Sequence, residues 1–143
     1  MITEKTKVPY EYRNNPENLE RLSEIINDFI ASLPVSKEEI LQICVNVAER
    51  VNPFDGSAYN MFTFLDKPLA DKLTELIQLP VCIENDTRSM AFAEFIKGRC
   101  KGMKDVIFVN MCWGLGIGII IDGKLYYGKS GYSGEFGHMT AYN

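Results

Sequence analysis

The sequence predicts an α/β protein with a partly parallel sheet. Three observations support this. Short apolar runs alternate with amphipathic stretches as far as the segment "DTRSMAFAEFIKGRC". The first amphipathic stretch opens with helix-start chemistry. The last part of the chain reads as strands joined by an Asp-Gly turn, a strong hairpin signal. At 143 residues the chain is long enough for a domain with a real core, and more than two domains are not expected.

The elements follow in order. "TKVPYEYR" has the composition of a short edge strand, with Pro9 limiting its pairing. In "NNPENLERLSEIINDFIASLP", Asn15 suits the cap of a helix and Pro16 its first position. Leu19, Leu22, Ile26, Phe29 and Leu33 then share one stripe, widened by Ile25 and Ile30, and Pro34 ends it. Residues 40–47 form an apolar run read as a buried strand, with a helix as the alternative. "NPFDGSAYN" is turn chemistry. "KPLADKLTELIQ" is a second helix and "LPVCIEN" a short buried strand. A third helix follows, with Asp86 or Thr87 as its cap and Gly98 near its end. "KDVIFVNMCW" and "LGIGIIID" are strands, and "KLYYG" returns after Asp122-Gly123.

Composition narrows the function. The net charge is −4, whereas an isolated DNA-binding domain is usually basic. Cys44, Cys82, Cys100 and Cys112 are far apart in or beside apolar runs, so they read as buried thiols of a reducing compartment. The N-terminus has no apolar signal core, and "IGIII" is too short to cross a bilayer. A cytoplasmic protein with no membrane partner is expected.

Three segments could carry chemistry. Asn85 and Asp86 end an apolar strand and open a helix, where α/β sheets bind ligands. Asp86 could take a proton from a substrate hydroxyl while Asn85 fixes hydroxyl positions, or Asp86 could simply cap the helix. The run holding Gly114, Gly116 and Gly118 could let a backbone approach phosphate, or be a glycine-bearing hairpin strand. It matches neither G-x-G-x-x-G nor a P-loop. Glu135 and His138 lie three apart between glycines, a pairing suited to sugar hydroxyls, and His138 is also a potential metal ligand. Alone, this pair cannot complete a zinc site.

The order "RVNPFDGSAYN", "IENDTRSMAFAE" and "WGLGIGIIIDGKLYYGKSGYSGEFGHM" resembles the ROK family of bacterial sugar kinases and NagC/XylR-type transcriptional regulators. The resemblance runs from about Ile40 to the end. It implies an incomplete actin-like (ribonuclease H-like) ATPase fold, a mixed sheet flanked by helices, with two subdomains about a sugar cleft. Residues 1–84 would be the remainder of the N-terminal subdomain and 85–143 the start of the C-terminal one. Asn85, Asp86, Glu135 and His138 would bind the sugar, with Asp86 as catalytic base in a kinase. His138 would be a zinc ligand, and Gly114, Gly116 and Gly118 would be the second phosphate-binding segment.

The departures from the family are as informative as the matches. The family's Gly-Thr-Gly is Gly114-Leu115-Gly116, its Pro-Gly is Ala48-Glu49, and the Asp of its Val-Asp is Asn52. Its first phosphate loop, Asp-x-Gly-x-Thr, has no counterpart here, and neither does the cysteine-rich zinc motif. The expectation is therefore the middle portion of a ROK protein. It would be the effector-binding portion of a sugar-responsive regulator, contacting DNA only through a separate N-terminal module. The alternative is a sugar kinase, inactive as this chain. No cofactor is expected here; ATP with magnesium, and zinc, would belong to a full-length kinase-like protein. Homo-oligomers are expected.

Overall fold

The computed structural model describes residues 4–112 and 114–138, for His138 the backbone only. Helix α1 spans Pro16–Ser32, and the side chain of Asn15 accepts from the Asn18 amide at its start. Strand β1 (Ile43–Val47) follows a single 3-10 turn at Lys37–Glu39. A small antiparallel pair, β2 (Val51–Asn52) and β3 (Ser57–Ala58), flanks the turn at Phe54 and Asp55. Helix α2 (Leu69–Ile77) leads to β4 (Val81–Asn85), which pairs in parallel with β1. Helix α3 (Asp86–Lys97) continues directly from β4. A three-stranded antiparallel meander follows, β5 (Val106–Met111), β6 (Leu115–Ile121) and β7 (Lys124–Leu125), and two short 3-10 turns at Lys129–Gly131 and Phe136–His138 come after it.

Alternation along β1 and β4 sends Val47 and Ile83 to one face. There they join Leu19 of α1, Val51, Phe62, and Leu69, Ala70, Leu73 and Ile77 of α2 in one core. A second contact layer lies between α3 and β6. Ala91 and Ile120 are buried there, and a Cβ on Gly118 would overlap the methyl of Ala91. Gly118 is thus the close-approach residue that lets α3 lie on the strand.

Several expectations are corrected. "TKVPYEYR" forms no strand, because its tyrosines dock it instead. The Tyr12 hydroxyl accepts from the Phe62 amide at 3.0 Å and the ring packs edge-on to Phe62, while the Tyr10 hydroxyl donates to Asn18 Oδ1 at 2.7 Å. The first strand begins at Ile43 rather than residue 40, since the turn at Lys37–Glu39 consumes the preceding residues. The return strand is only Lys124–Leu125, although both Asp122 (φ 49°) and Gly123 (φ 74°) take the left-handed conformations of a tight hairpin turn. The cysteines are not buried: Cys44 and Cys112 are exposed, Cys82 and Cys100 half-buried, and all four are free thiols. Cys44 and Cys82 are register partners on the open face of the β1–β4 pair, where alternation turns them away from the core.

Candidate functional site

The C-terminal end of the parallel pair is where the site begins, because β4 runs into α3 without a loop. The helix cap is Asn85, rather than Asp86 or Thr87. The Asn85 side-chain oxygen accepts from the Arg88 amide at 3.0 Å, and its amide nitrogen donates to the Glu49 carbonyl at 3.1 Å. Asp86 is thereby moved into the first turn, where the helix dipole favours a carboxylate. Its Oδ1 accepts from the Thr87 amide at 2.6 Å and the Thr87 hydroxyl at 3.2 Å. These bonds fix the carboxylate's direction.

A cleft of about 510 Å³ opens in front of this junction. Asn85, Asp86 and Thr87 form its floor, Glu49, Arg50 and Asn60 one wall, and Gly114, Leu115 and Gly116 another. Gly134, Glu135 and Gly137 close it. The structure therefore brings together Asn85, Asp86, Glu135, Gly114 and Gly116 from distant parts of the sequence. Gly118 lies away from the cleft, beneath α3. The side chain of His138 lies outside the described residues, so neither its sugar reading nor its metal reading receives a geometry. Among the described residues no group of three or more His, Cys, Asp or Glu could hold a metal. They do not by themselves make a zinc site, and no step below depends on one.

The glycine segment that the resemblance assigns to phosphate has a mixed geometry. Residues 115–118 are extended strand paired with β5, and an extended strand turns successive amides to opposite sides. An anion nest needs consecutive amides turned to the same side. Gly114, just before the strand, meets nothing within 4 Å of a Cβ placed on it. Leu115 presents an apolar side chain, 43% exposed, where the resemblance implies a hydroxyl.

Glu49, which the resemblance sets in place of a glycine, accepts from the Asn60 side-chain amide at 2.7 Å. The glutamate is thus drawn toward Asn60. Asn52, in place of the family's aspartate, donates to Asp55 at 2.7 Å and accepts from the Phe54 amide at 3.2 Å. A carboxylate at position 52 could not donate to Asp55, so the amide suits this turn.

Sequence reasoning missed Arg88. Its side chain is 2% exposed and each of its three nitrogens donates a bond: Nε to Glu84 at 2.7 Å, one terminal nitrogen to the Gly131 carbonyl at 2.7 Å, the other to the Val51 carbonyl at 2.8 Å. The guanidinium also stacks on Tyr127, 5.3 Å from the ring centre. Burial, then the neighbouring Glu84, pushes the Tyr127 hydroxyl pKa above its ordinary value. The available signal was the i, i+4 spacing of Glu84 and Arg88 across the strand–helix junction, which is too common to identify a buried pair.

With this geometry the comparisons become informative. The sequence model of the ROK family matches residues 1–143. The chain belongs to the ROK family. It is 35% identical over 132 residues to a xylose repressor of Bacillus subtilis, covering 89% of this chain and 34% of that protein. It is 36% identical over 103 residues to a glucokinase of Streptomyces coelicolor, covering 71% of this chain and 32% of that protein. Among solved structures, a ROK family glucokinase from Streptomyces griseus in complex with glucose and AMPPNP matches with a TM-score of 0.68 and 31% identity, over 84% of this chain and 39% of that one. A ROK family transcriptional regulator, a homologue of the E. coli MLC protein, matches with a TM-score of 0.68 and 28% identity, over 85% of this chain and 31% of that one. The fold is thus the actin-like ATPase fold of ROK kinases and regulators. The chain spans about a third of the length of the curated relatives it matches. Among the described residues no helix is long and apolar enough to cross a membrane.

Proposed function

We propose that this chain is the sugar-reading portion of a sugar-responsive ROK regulator of the NagC/XylR type. Hydroxyl-rich ligands are held by convergent polar groups in a partly preformed cleft, and Asn60, Asp86 and Glu135 converge on one here. Asp86 and Glu135 would accept hydrogen bonds from sugar hydroxyls, and Asn85 has one amide hydrogen left to offer beyond its bonds to Arg88 and Glu49. The two subdomains would divide at Asn85, where the parallel pair ends and α3 begins. DNA contact would fall to a separate module, consistent with the net charge of −4. Self-association and a cytoplasmic location belong to the same reading.

The observation that carries the regulator reading is Leu115. Phosphoryl transfer depends on positioning and on donors placed around the phosphates. Leu115 offers methyl groups to the cleft wall at the segment assigned to phosphate, and reading a sugar needs no phosphate donor.

One observation favours the kinase alternative. Asp86 has its Oδ1 fixed by two donors from Thr87 and lies at the cleft floor, an arrangement suited to a general base. In that reading the carboxylate takes the proton from a sugar hydroxyl, whose oxygen attacks the terminal phosphorus of ATP while ADP leaves. ATP with magnesium would then be a co-substrate, and zinc, if used, would bind through His138 and residues beyond those described. Calorimetry with D-xylose, D-glucose and ATP–magnesium separates the two. The regulator reading expects heat from a sugar and none from ATP. Sugar-dependent ATP consumption would replace it with the kinase.

A further inference from the structure

We propose that Arg88 is a positioning residue that holds the loop 128–135, and with it Glu135, against the Asn85–Asp86 floor of the cleft; the functional part of this inference rests on reading the cleft as a sugar site. Three separate segments meet at its guanidinium. Glu84 is the penultimate residue of β4, Val51 opens β2, and Gly131 sits in the short 3-10 turn at Lys129–Gly131. One side chain therefore joins the strand that ends in the site, the hairpin behind its wall and the loop that closes it.

The loop is built to accept this tie. Gly131 has φ +80°, and a Cβ there would overlap the Val51 carbonyl oxygen, so the loop backbone lies directly on β2. The carbonyls of Val51 and Gly131 both point to Arg88, and each uses a different terminal nitrogen. A planar fork is the geometry that serves two such acceptors at once, and an ammonium is a compact single centre. A second, weaker tie is the Tyr59 hydroxyl, which donates to the Ser130 carbonyl at 3.1 Å, and Tyr59 and Tyr132 pack ring to ring. The Arg50 guanidinium also lies over the Tyr132 ring, 5.4 Å from its centre, and within the loop the Ser133 amide donates to the Tyr127 carbonyl.

The role is more than generic core packing because one side chain bonds three segments distant in sequence. Arg88 is not itself a member of the apolar cluster and touches it through the Val51 carbonyl. Its loss would release the 128–135 loop before that cluster. Replacing the fork by lysine keeps a cation for Glu84 and strands at least one buried carbonyl.

Hydrogen exchange followed by mass spectrometry on the whole chain tests this without any ligand. In Arg88→Lys, amide exchange across 131–135 should rise roughly tenfold, the factor expected for one buried hydrogen bond, while amides of α2 keep their rates. Glu84→Gln, a milder change, should raise exchange in the same loop by about threefold through the loosened guanidinium. Unchanged loop exchange in both variants would overturn the proposal. So would an equal rise in the loop and in α2, which would mean global destabilisation. The sugar reading is scored separately by titrating D-glucose and D-xylose. If the wild type binds one of them, Arg88→Lys should weaken it roughly tenfold at an unchanged cleft sequence. Binding as tight as wild type would contradict the functional half of the proposal. Absence of sugar binding in the wild type would sink the sugar reading, while the exchange data would still decide the tie.

Discussion

Leu73 and Ile107 are both apolar residues of regular elements, yet Leu73 is fully buried and Ile107 is 71% exposed. The first sits in α2, against β4 and within a cluster that gathers α1, α2, β1, β2 and Phe62. The second sits in β5, whose residues Ile107, Val109 and Met111 lie opposite Ile119, Ile117 and Leu115 on one sheet face. Helix α3 covers the other face, through Ala91 and Gly118. Apolar residues on both faces of a strand are the signature of a sheet covered on both sides. Among the described residues one of those covers is α3, and the β5–β6 sheet is packed to a single depth. Apolar pattern reports how many faces a strand is made to bury, while its burial reports which of them the described residues fill.

Substitutions can break or sharpen that contrast. Leu73→Ala should cost about 2–5 kcal/mol in urea unfolding, because a fully buried leucine leaves a cavity that helices can only partly close. A cost below about 1 kcal/mol would mean that the cluster is loose. The open face of the β1–β4 pair gives an intermediate case. Packing around the sulfur and the neighbouring Cys82 thiol push the Cys44 pKa up to about 11, although the residue reaches the surface. A raised pKa keeps the thiol protonated below that pH, and only the thiolate reacts. Alkylation of Cys44 by iodoacetamide at neutral pH should therefore be roughly two orders of magnitude slower than for an ordinary thiol, and should accelerate up to about pH 11. Fast labelling at pH 7 would show that the strand pair is open. Ile107→Thr should be smallest, within about 0.5 kcal/mol, as an exposed site has no cavity to create. A cost comparable to Leu73→Ala would show that something covers β5 in solution.

Where the sequence could be read, the signal was local. Asn15 followed by Pro16 set the start of α1, and Asp122-Gly123 set the final turn, because caps and tight turns are chosen by the conformations of one or two residues. The junction at Asn85 and Asp86 was visible as a strand end that opens a helix beside a cleft, since it follows from strand and helix order. The identity of the cap was not. Asn85 and Asp86 are both good caps, and the choice depends on the Glu49 carbonyl, far away in sequence. The exposure of Cys44 was hidden for a similar reason, because composition cannot say which face of a strand is covered. Arg88 was the least legible. A charged residue in a helix reads as surface, and only the approach of Val51 and Gly131 makes burial affordable. Long-range carbonyls leave no mark on the sequence around the residue they satisfy.

The account turns on one cleft reading a sugar through Asp86 and Glu135. Its most direct test is calorimetric titration of the whole chain with D-xylose and D-glucose, comparing wild type with Asp86→Asn and Glu135→Gln. The account predicts that wild type binds one of the sugars and that each variant weakens binding roughly tenfold or more, with an unchanged melting temperature. Equal affinity in all three proteins, or no sugar binding by the wild type, would contradict it.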